Sequence, residues 1–593
     1  MKYLLTTFLS IILPFLLYSE GIKQLKPDST YSTFMTIQPG GGVSSCFGME
    51  TCDADHKLYV HIGHPGEKIY MGFSWSSIFV NQLIVRLKFN NSLVYGPVTI
   101  SVGSPGYITW FRQAYSGPDV LNPSGYNSIS YTPAQVGDYE VDFSNPTAPS
   151  VGLDKFDVTV IDTTVTPLEA TKGRLWARLW AINTSPINVP VDAFKGTMYV
   201  YTNDSVVTSV FFNTMQGHVF EVSCTSNGCY PPPVPWDSSC KSTPGNHVYP
   251  QYQIFVNDPD SVCYPTGNLG TIDENTITVT PACNGSFSIH YFAGKAGKVK
   301  AIFDVNPLPG IQPEDVIIMD SVQTGWNDLF WNGLNGLGQP LAGGTQVILN
   351  LTFVNGLTNL PIFDVERQVH GFVITQVRPP GPTIATYWND TLLAAKGGVR
   401  QLTGCYSFDT VGCHRWNGDY NGIGIGSLNT VNTWWYAASS TTNPIILTVQ
   451  KPPDTPANIS GPTTFCRSAV NTYTIVPNPV FGADPNHFEW VLTDDATSTV
   501  LLDLQNQGTS LTISFSSYPS GNMHLKVRGW NSICGYGSYG PGVPGVGIQL
   551  TVIVIEFDVA GLFDIQIVLE EVRVQVTKSL FKGTYEKRGL LVD

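Results

Sequence analysis

Three histidines stand close together near the N-terminus, His56, His61 and His64, and neutral imidazole is a common metal ligand. On an extended chain His56 and His61 point to opposite faces, while Gly63 and Pro65 put His64 in a turn. Surface histidines are the expected reading. Oxygen-bearing groups recur in polar stretches: Asn257-Asp-Pro-Asp260, Glu314-Asp315 and Asp419-Tyr-Asn-Gly422. Carboxylate and carbonyl oxygens suit calcium, so Asp258, Asp260 and Asp419 are the candidate calcium ligands. None of these groups has the spacing of a helix-flanked calcium loop, and Asx side chains also close turns on their own. Gly422, Gly424 and Gly426 resemble part of a dinucleotide fingerprint, but no strand–helix–strand unit surrounds them. The chain holds no Gly-x-Ser-x-Gly elbow, His-Glu-x-x-His or phosphate-binding loop. No catalytic residues are assigned, and the expectation is a protein that is not an enzyme.

Two further sets of residues could act. Trp416, Trp434, Trp435 and Tyr436 lie in a Gly/aromatic segment, Gly397–Tyr436, and are candidates for stacking on sugar rings. The competing reading is aromatic packing beneath a long insertion. Eleven cysteines occur, Cys46, Cys52, Cys224, Cys229, Cys240, Cys263, Cys283, Cys405, Cys413, Cys466 and Cys534. In an exported chain such residues pair as disulfides. Short-range candidates are Cys46–Cys52, Cys224 with Cys229 or Cys240, Cys263–Cys283 and Cys405–Cys413, whereas Cys466–Cys534 would cross a whole module. The odd count leaves one thiol over. A zinc site at Cys224 and Cys229 would need a second pair at metal spacing, which is missing.

Export is itself an expectation. Met1-Lys2 precedes an apolar run from Tyr3 to Tyr18, and Ser19 and Gly21 are small residues suited to cleavage, so 1–21 reads as a secretory signal peptide. No later window is apolar enough to span a bilayer. The mature chain is expected to be secreted or on the outer cell surface.

The elements that must position these residues are strands. Of 593 residues only 13% are charged and 12% are aromatic, with 57 glycines and 42 prolines. Short aromatic and β-branched runs between Gly/Pro turns predict an all-β chain of tandem Ig-like β-sandwich modules. A net charge of −14 excludes a nucleic-acid partner, which would need a basic face. Alternating runs divide the chain into a module at 22–163, a second at 164–283 with a Cys/Pro-rich loop, a third at 284–450 with the aromatic insertion at 397–436, and a fourth at 451–555. Lys451-Pro-Pro-Asp-Thr-Pro456 is a stiff linker. Trp326–Leu351 reads as a hairpin of the third module, with Asn332-Gly333 and Asn335-Gly336 as turns and Val347, Leu349 and Leu351 on one strand face. The charged tail 556–593 reads either as an added sorting or stalk element or as a truncated or frame-shifted end.

Several stretches together resemble the large secreted surface proteins of gliding Bacteroidota. Phe330-Trp-Asn-Gly-Leu-Asn-Gly-Leu-Gly-Gln-Pro-Leu-Ala-Gly-Gly-Thr345 is similar to the hairpin of Ig-like modules of the flagellar-hook-cap type, with Asn332 where those carry Asp. Leu58-Tyr-Val-His61, Gly66-Glu-Lys-Ile-Tyr-Met-Gly72 and Gly137-Asp-Tyr-Glu-Val-Asp-Phe143 resemble their N-terminal module, and Asn432-Thr-Trp-Trp-Tyr436 also recurs in them. Ile459-Ser-Gly-Pro-Thr-Thr-Phe-Cys466, Phe488-Glu-Trp490, Leu511-Thr-Ile-Ser-Phe515 and Trp530-Asn-Ser-Ile-Cys-Gly535 resemble a PKD-type Ig-like repeat. The resemblance implies a core Trp in that repeat and Cys466 close enough to Cys534 to bridge. It also implies type IX secretion, with the secretion machinery as a partner, and a role in adhesion or gliding through an extracellular glycan or protein polymer. The sorting module that usually ends such proteins has no counterpart after Ile555.

Overall fold

Alternation of apolar and polar residues sets the local structure. In Leu58–Ile62 the residues Leu58, Val60 and Ile62 are buried and Tyr59 and His61 are not, as a period of two requires. The same rhythm repeats along the described residues and gives sheets that are antiparallel apart from the parallel pairing of Thr464–Cys466 with Gln549–Ile555, with short helical turns between them. The computed structural model of the protein describes residues 19–27, 33–38, 46–75, 80–146, 148, 150–184, 194–381, 383–408, 411–418, 424–476, 487–539, 549–555, 566–569 and 572–575. The apolar run before Ser19, Asp419 and Gly422 lie outside the described residues.

Two large sheets enclose the first core. One runs, in spatial order, Glu67–Trp75, Val151–Asp162, Phe34–Ile37, Leu179–Asn183, Phe220–Ser223, Gln346–Phe363, Asn429–Thr441, Ala385–Asn389 and Arg400–Tyr406. The other includes Gln82–Phe89, Gly137–Ser144, Leu58–Ile62, Leu175–Ala177, Gln253–Phe255, Phe194–Tyr201 and Val207–Gln216. Between them a single apolar core extends from Ile22 and Leu25 through Phe73, Phe143 and Trp180 to Leu360 and Trp435. The segments 22–163 and 164–283, expected as separate modules, therefore share one core across the pairing of Phe34–Ile37 with Leu179–Asn183. Asp142 is buried at the edge of this core between Lys57 Nζ at 2.8 Å and Lys88 Nζ at 2.9 Å, which supplies the opposite charge a buried carboxylate needs.

The second core is a sandwich. Ile272–Pro281, Phe287–Ala293 and Gly325–Trp331 form one sheet. Gly297–Asp304, Val316–Val322, the first half of Gln346–Phe363 and Ile445–Thr448 form the other. Since Ile272–Pro281 belongs here, the third unit begins upstream of the expected boundary at 284. The expected hairpin also changes. Gly325–Trp331 pairs with Phe287–Ala293, whereas Gln346–Phe363 pairs with Gly297–Asp304, so the Asn332–Gly344 turns carry the chain from one sheet across to the other. Val347, Leu349 and Leu351 share the buried face as expected. Gly333, at φ +75°, sits so close to Gly285 that a Cβ would meet its carbonyl oxygen at 2.1 Å, which is why glycine follows Asn332.

Gln346–Phe363 is an 18-residue strand. Its first half alternates in burial, as one face of the second core, and its second half is buried on both faces inside the first sheet. A central strand of that sheet, Asn429–Thr441, pairs beside it. The last residues of Gly397–Tyr436, expected as an insertion, are thus sheet core.

A third core lies between Asn458–Ser460, Val470–Val476 and Ser510–Ser514 on one side and His487–Asp494, Val500–Gln507 and Gly521–Asn531 on the other, with Trp490 at its centre. In the tail, Gln566–Leu569 pairs with Val572–Gln575, and Val576 falls outside the described residues.

Candidate functional site

The aromatic residues nominated for sugar stacking are interior. Trp434 packs edge-on against Trp236 at 4.7 Å and stacks on Tyr387 at 4.3 Å. Trp435 donates its indole N–H to Thr208 Oγ1 at 3.1 Å, and Trp416 donates to the Val365 carbonyl at 3.0 Å. Tyr436 bonds through its hydroxyl to Lys300 Nζ. All four are buried; for Trp434, Trp435 and Tyr436 this is because odd and even positions of a strand buried on both faces both point into protein. The neighbouring glycines serve packing: a Cβ on Gly426 would meet the Val365 carbonyl oxygen at 1.7 Å.

Exposed aromatics lie elsewhere: Trp110, Tyr249, Tyr406 and Phe408 stand on other segments, and Trp326 and Phe330 share the outer face of the three-stranded sheet. Along Gly325–Trp331, Leu329 and Trp331 enter the core while Trp326, Asp328 and Phe330 face outward. Trp326 is 57% exposed and Phe330 63%. The register sets Phe292 opposite Trp326, His290 opposite Asp328 and Ser288 opposite Phe330. His290 stacks flat on Trp326, with ring centroids 4.7 Å apart and planes 4° from parallel. Its Nδ1 lies 2.8 Å from Asp328 Oδ1. Thr278 and Thr280 extend the same face on the adjoining strand. The result is a flat, rigid patch of two aromatic rings beside a carboxylate–imidazole pair and hydroxyls. Such a surface can stack on an apolar ring or side chain and hydrogen-bond at its rim. The opening residues of this stretch were visible in the sequence, but their outward direction was not.

Among the described residues, one hydroxyl–imidazole–carboxylate series has the spacing of a proton relay. Thr433 Oγ1 lies 2.7 Å from His414 Nδ1, and His414 Nε2 lies 2.9 Å from Asp390 Oδ2. Ser242 donates to the other carboxylate oxygen of Asp390. Trp388 stacks on the imidazole at 4.5 Å. His414 is 2% exposed and Ser242, Asp390 and Thr433 no more than 1%. A substrate cannot reach Thr433 or Ser242, so the geometry ties three chain segments together. Spacing gave no sign of it, since Ser242 and Thr433 sit on segments far apart in the chain.

The candidate metal ligands are engaged by cations of the protein. Asp258 pairs with Arg378 at 3.0 Å and Asp260 with Arg174 at 3.0 Å. A guanidinium beside each carboxylate opposes a calcium ion there, so these residues do not fit that ion. Asp315 accepts from the backbone N–H groups of Val305, Asn306 and Gln312, which is loop closure. The three histidines do not converge: His56 pairs with Asp53, His61 with Asp138 and His64 with Glu67 and Asp162.

Three disulfides are present among the described residues. Cys46–Cys52 and Cys405–Cys413 are as expected. The third joins Cys283 to Cys534, replacing both Cys263–Cys283 and Cys466–Cys534. Cys466 pairs across from Ile555, which lies near the start of Gly521–Asn531, and Cys534 follows the other end of that strand. An 11-residue strand spans about 30 Å, so those two cannot bridge. Cys263 packs near Trp176, Phe255 and Tyr264 beside the first core, in a different unit from Cys283. Cys224, Cys229 and Cys240 are buried thiols, and burial pushes each of them up from the ordinary thiol range.

No family model and no curated protein matches the chain. Among solved structures, a two-domain fibronectin type III segment of chicken tenascin aligns at 7% identity and a TM-score of 0.16, covering 47% of this chain and 95% of that one. The FN1–FN3 domains of chicken CNTN1 align at 9% identity and a TM-score of 0.18, covering 61% and 98%. At such scores the all-β sandwich architecture stands on the chain's own sheets. No helix among the described residues is long and apolar enough to cross a membrane.

Proposed function

We infer that the protein is a non-enzymatic, extracellular structural or adhesive protein that meets a polymer ligand through the outer face of the sheet carrying Trp326 and Phe330. The observation that carries the reading is that two large rings stand exposed, at 57% and 63%, on the same face of one strand, which makes an apolar patch and not a residue scattered singly. The face belongs to a sandwich clamped to the next one by Cys283–Cys534, and disulfides of this kind persist in oxidising, extracellular surroundings. Secretion through the leader and the type IX route, and a part in gliding or surface attachment, rest on the resemblance of the quoted stretches to Bacteroidota surface proteins.

A glycan is favoured over a protein ligand by one feature. The face that exposes the Trp326 and Phe330 rings also carries Asp328 and, two strands over, the Thr278 and Thr280 hydroxyls, a mixture of apolar rings and polar groups that suits the apolar face and hydroxyl rim of a sugar ring. The test is retention of the full chain on immobilised polysaccharides and matrix proteins, followed by end-group analysis of the polymer. Retention without new reducing ends or new amino termini supports the reading. New ends in the polymer, or no retention on any surface, overturns it.

A further inference from the structure

The first described residues are part of the fold. Ser19 and Glu20 are buried, and Ile22 and Leu25 enter the first core. The Glu20 carboxylate accepts from the backbone N–H of Gly173 at 2.7 Å, the N–H of Arg174 at 3.0 Å and Asn257 Nδ2 at 2.9 Å. The leader expected to end at residue 21 would remove this carboxylate and leave three buried donors without their acceptor, a costly outcome. A leader ending at Ser19 removes none of them.

The amide nitrogen of Glu20 has an unusual position. It donates to Thr159 Oγ1 at 3.2 Å, whose hydroxyl bonds the Asp157 carboxylate, and the next residue, Gly21, pairs with Asp157 across the backbone. Asp157 is 0% exposed. It accepts from Tyr126 Oη at 2.6 Å, and Thr159 Oγ1 lies 2.8 Å from its Oδ2. No ion pair to Asp157 or Glu20 is found among the described residues; Lys23, on the following turn, is close enough for the two charges to be felt through space. Two carboxyl groups thus share one interior region without the paired cation that Asp142 has. Burial pushes the Asp157 carboxyl up to about 8 and raises that of Glu20.

We propose that the chain is cleaved between Ser19 and Glu20, and that the α-ammonium freed on Glu20 is the cation that completes the buried Asp157 site. This rests on the reading of the N-terminal run as a leader. Water adds across the Ser19–Glu20 amide. The acyl carbon departs with the leader as the Ser19 carboxylate, and the nitrogen stays as the Glu20 ammonium, with no change of oxidation state. A leader peptidase acts on the unfolded chain, because both residues are buried once it has folded. The new group brings a positive charge and three donors to a point where one amide hydrogen stood. An α-amino group keeps its proton near neutral pH, and a carboxylate in contact holds it more firmly. Processing and folding are coupled in this way: the processed chain carries an internal ion pair, and the unprocessed chain carries an uncompensated carboxyl.

The test starts from the full 593-residue chain expressed in an exporting host, with N-terminal sequencing and intact mass. A start at Glu20 with a free amine is expected. A start at Met1 overturns the leader reading and this inference together. A start at Ile22 or elsewhere keeps the leader and overturns the inference, as does a pyroglutamyl end, which lacks the ammonium. A second measurement compares chains beginning at Glu20 and at an added Gly before Ser19. The Glu20 form should have an unfolding equilibrium constant at least tenfold smaller at neutral pH, and Asp157→Asn should abolish the difference. Equal constants in the unsubstituted pair, or a difference that survives Asp157→Asn, overturns it.

Discussion

Cys283 and Cys534 are bonded, with Cα atoms 5.5 Å apart, although 251 residues separate them in the chain. The first lies in the turn before Phe287–Ala293 and the second just beyond Gly521–Asn531, so the bond fastens two sandwiches across the Pro-rich linker. Asn531 Nδ2 adds a hydrogen bond to the Lys451 carbonyl at 3.0 Å, and Lys451 Nζ reaches the Leu341 carbonyl. The first residue of the linker is therefore tied to both sandwiches. Closing so long a loop is worth about 5 kcal/mol in the chain-entropy account, and typical measured values are about 2–4 kcal/mol.

From this bond comes the first prediction. Cys283→Ser with Cys534→Ser should lower stability by about 2–4 kcal/mol and let the last sandwich unfold as a separate step. Guanidinium titration followed by Trp490 fluorescence checks it. A non-reducing digest should yield the 283–534 linked peptide and none that contains Cys466.

The buried and exposed tryptophans should respond oppositely. Trp435→Ala should cost about 3–5 kcal/mol through the cavity it leaves, together with the lost bond to Thr208. Trp326→Ala should change stability by no more than about 0.5 kcal/mol. Thermal melts of the two variants measure this directly.

Lys300 gives a pH signature. Burial pushes its ammonium down from 10.5 to about 8, while the Tyr387 and Tyr436 rings face it. Between those values the unfolded chain binds more protons than the folded one. Stability from this group is therefore full above the unfolded value and is lost as pH falls through about 8. The melting temperature should rise more between pH 8 and about 10 for the natural chain than for Lys300→Met, which removes the titrating group.

The Asp390 network is a structural test. Asp390→Ala strands Ser242 and His414 in the interior and should cost about 3–5 kcal/mol. Asp390→Asn, which keeps the shape and one acceptor, should cost less. Urea denaturation of the two variants compares them.

Period and composition made the strands legible: Leu58–Ile62, Gln346–Leu351 and Phe488–Leu492 follow from alternation alone. What alternation cannot carry is the partner of each strand. Gly325–Trp331 and Gln346–Phe363 looked like neighbours because turn residues lie between them, yet the turns cross from sheet to sheet. The same gap hid the burial of Trp434, Trp435 and Tyr436. A Trp-Trp-Tyr run reads the same on a strand covered on both sides as on one left bare, and only the lateral order of the sheet distinguishes them. Cysteine pairing failed where it depended on that order and held at Cys46–Cys52 and Cys405–Cys413, where a short loop enforces it. Asp390, His414 and Lys300 carried no spacing signal, since their partners come from distant segments.

The most direct measurement is retention of the full chain on the polymer surface it prefers, compared with Trp326→Ala/Phe330→Ala and with Trp110→Ala as a control at another exposed ring. The account predicts at least a tenfold loss of affinity for the double variant, unchanged melting, and natural affinity for Trp110→Ala. Natural affinity in the Trp326→Ala/Phe330→Ala chain would contradict it.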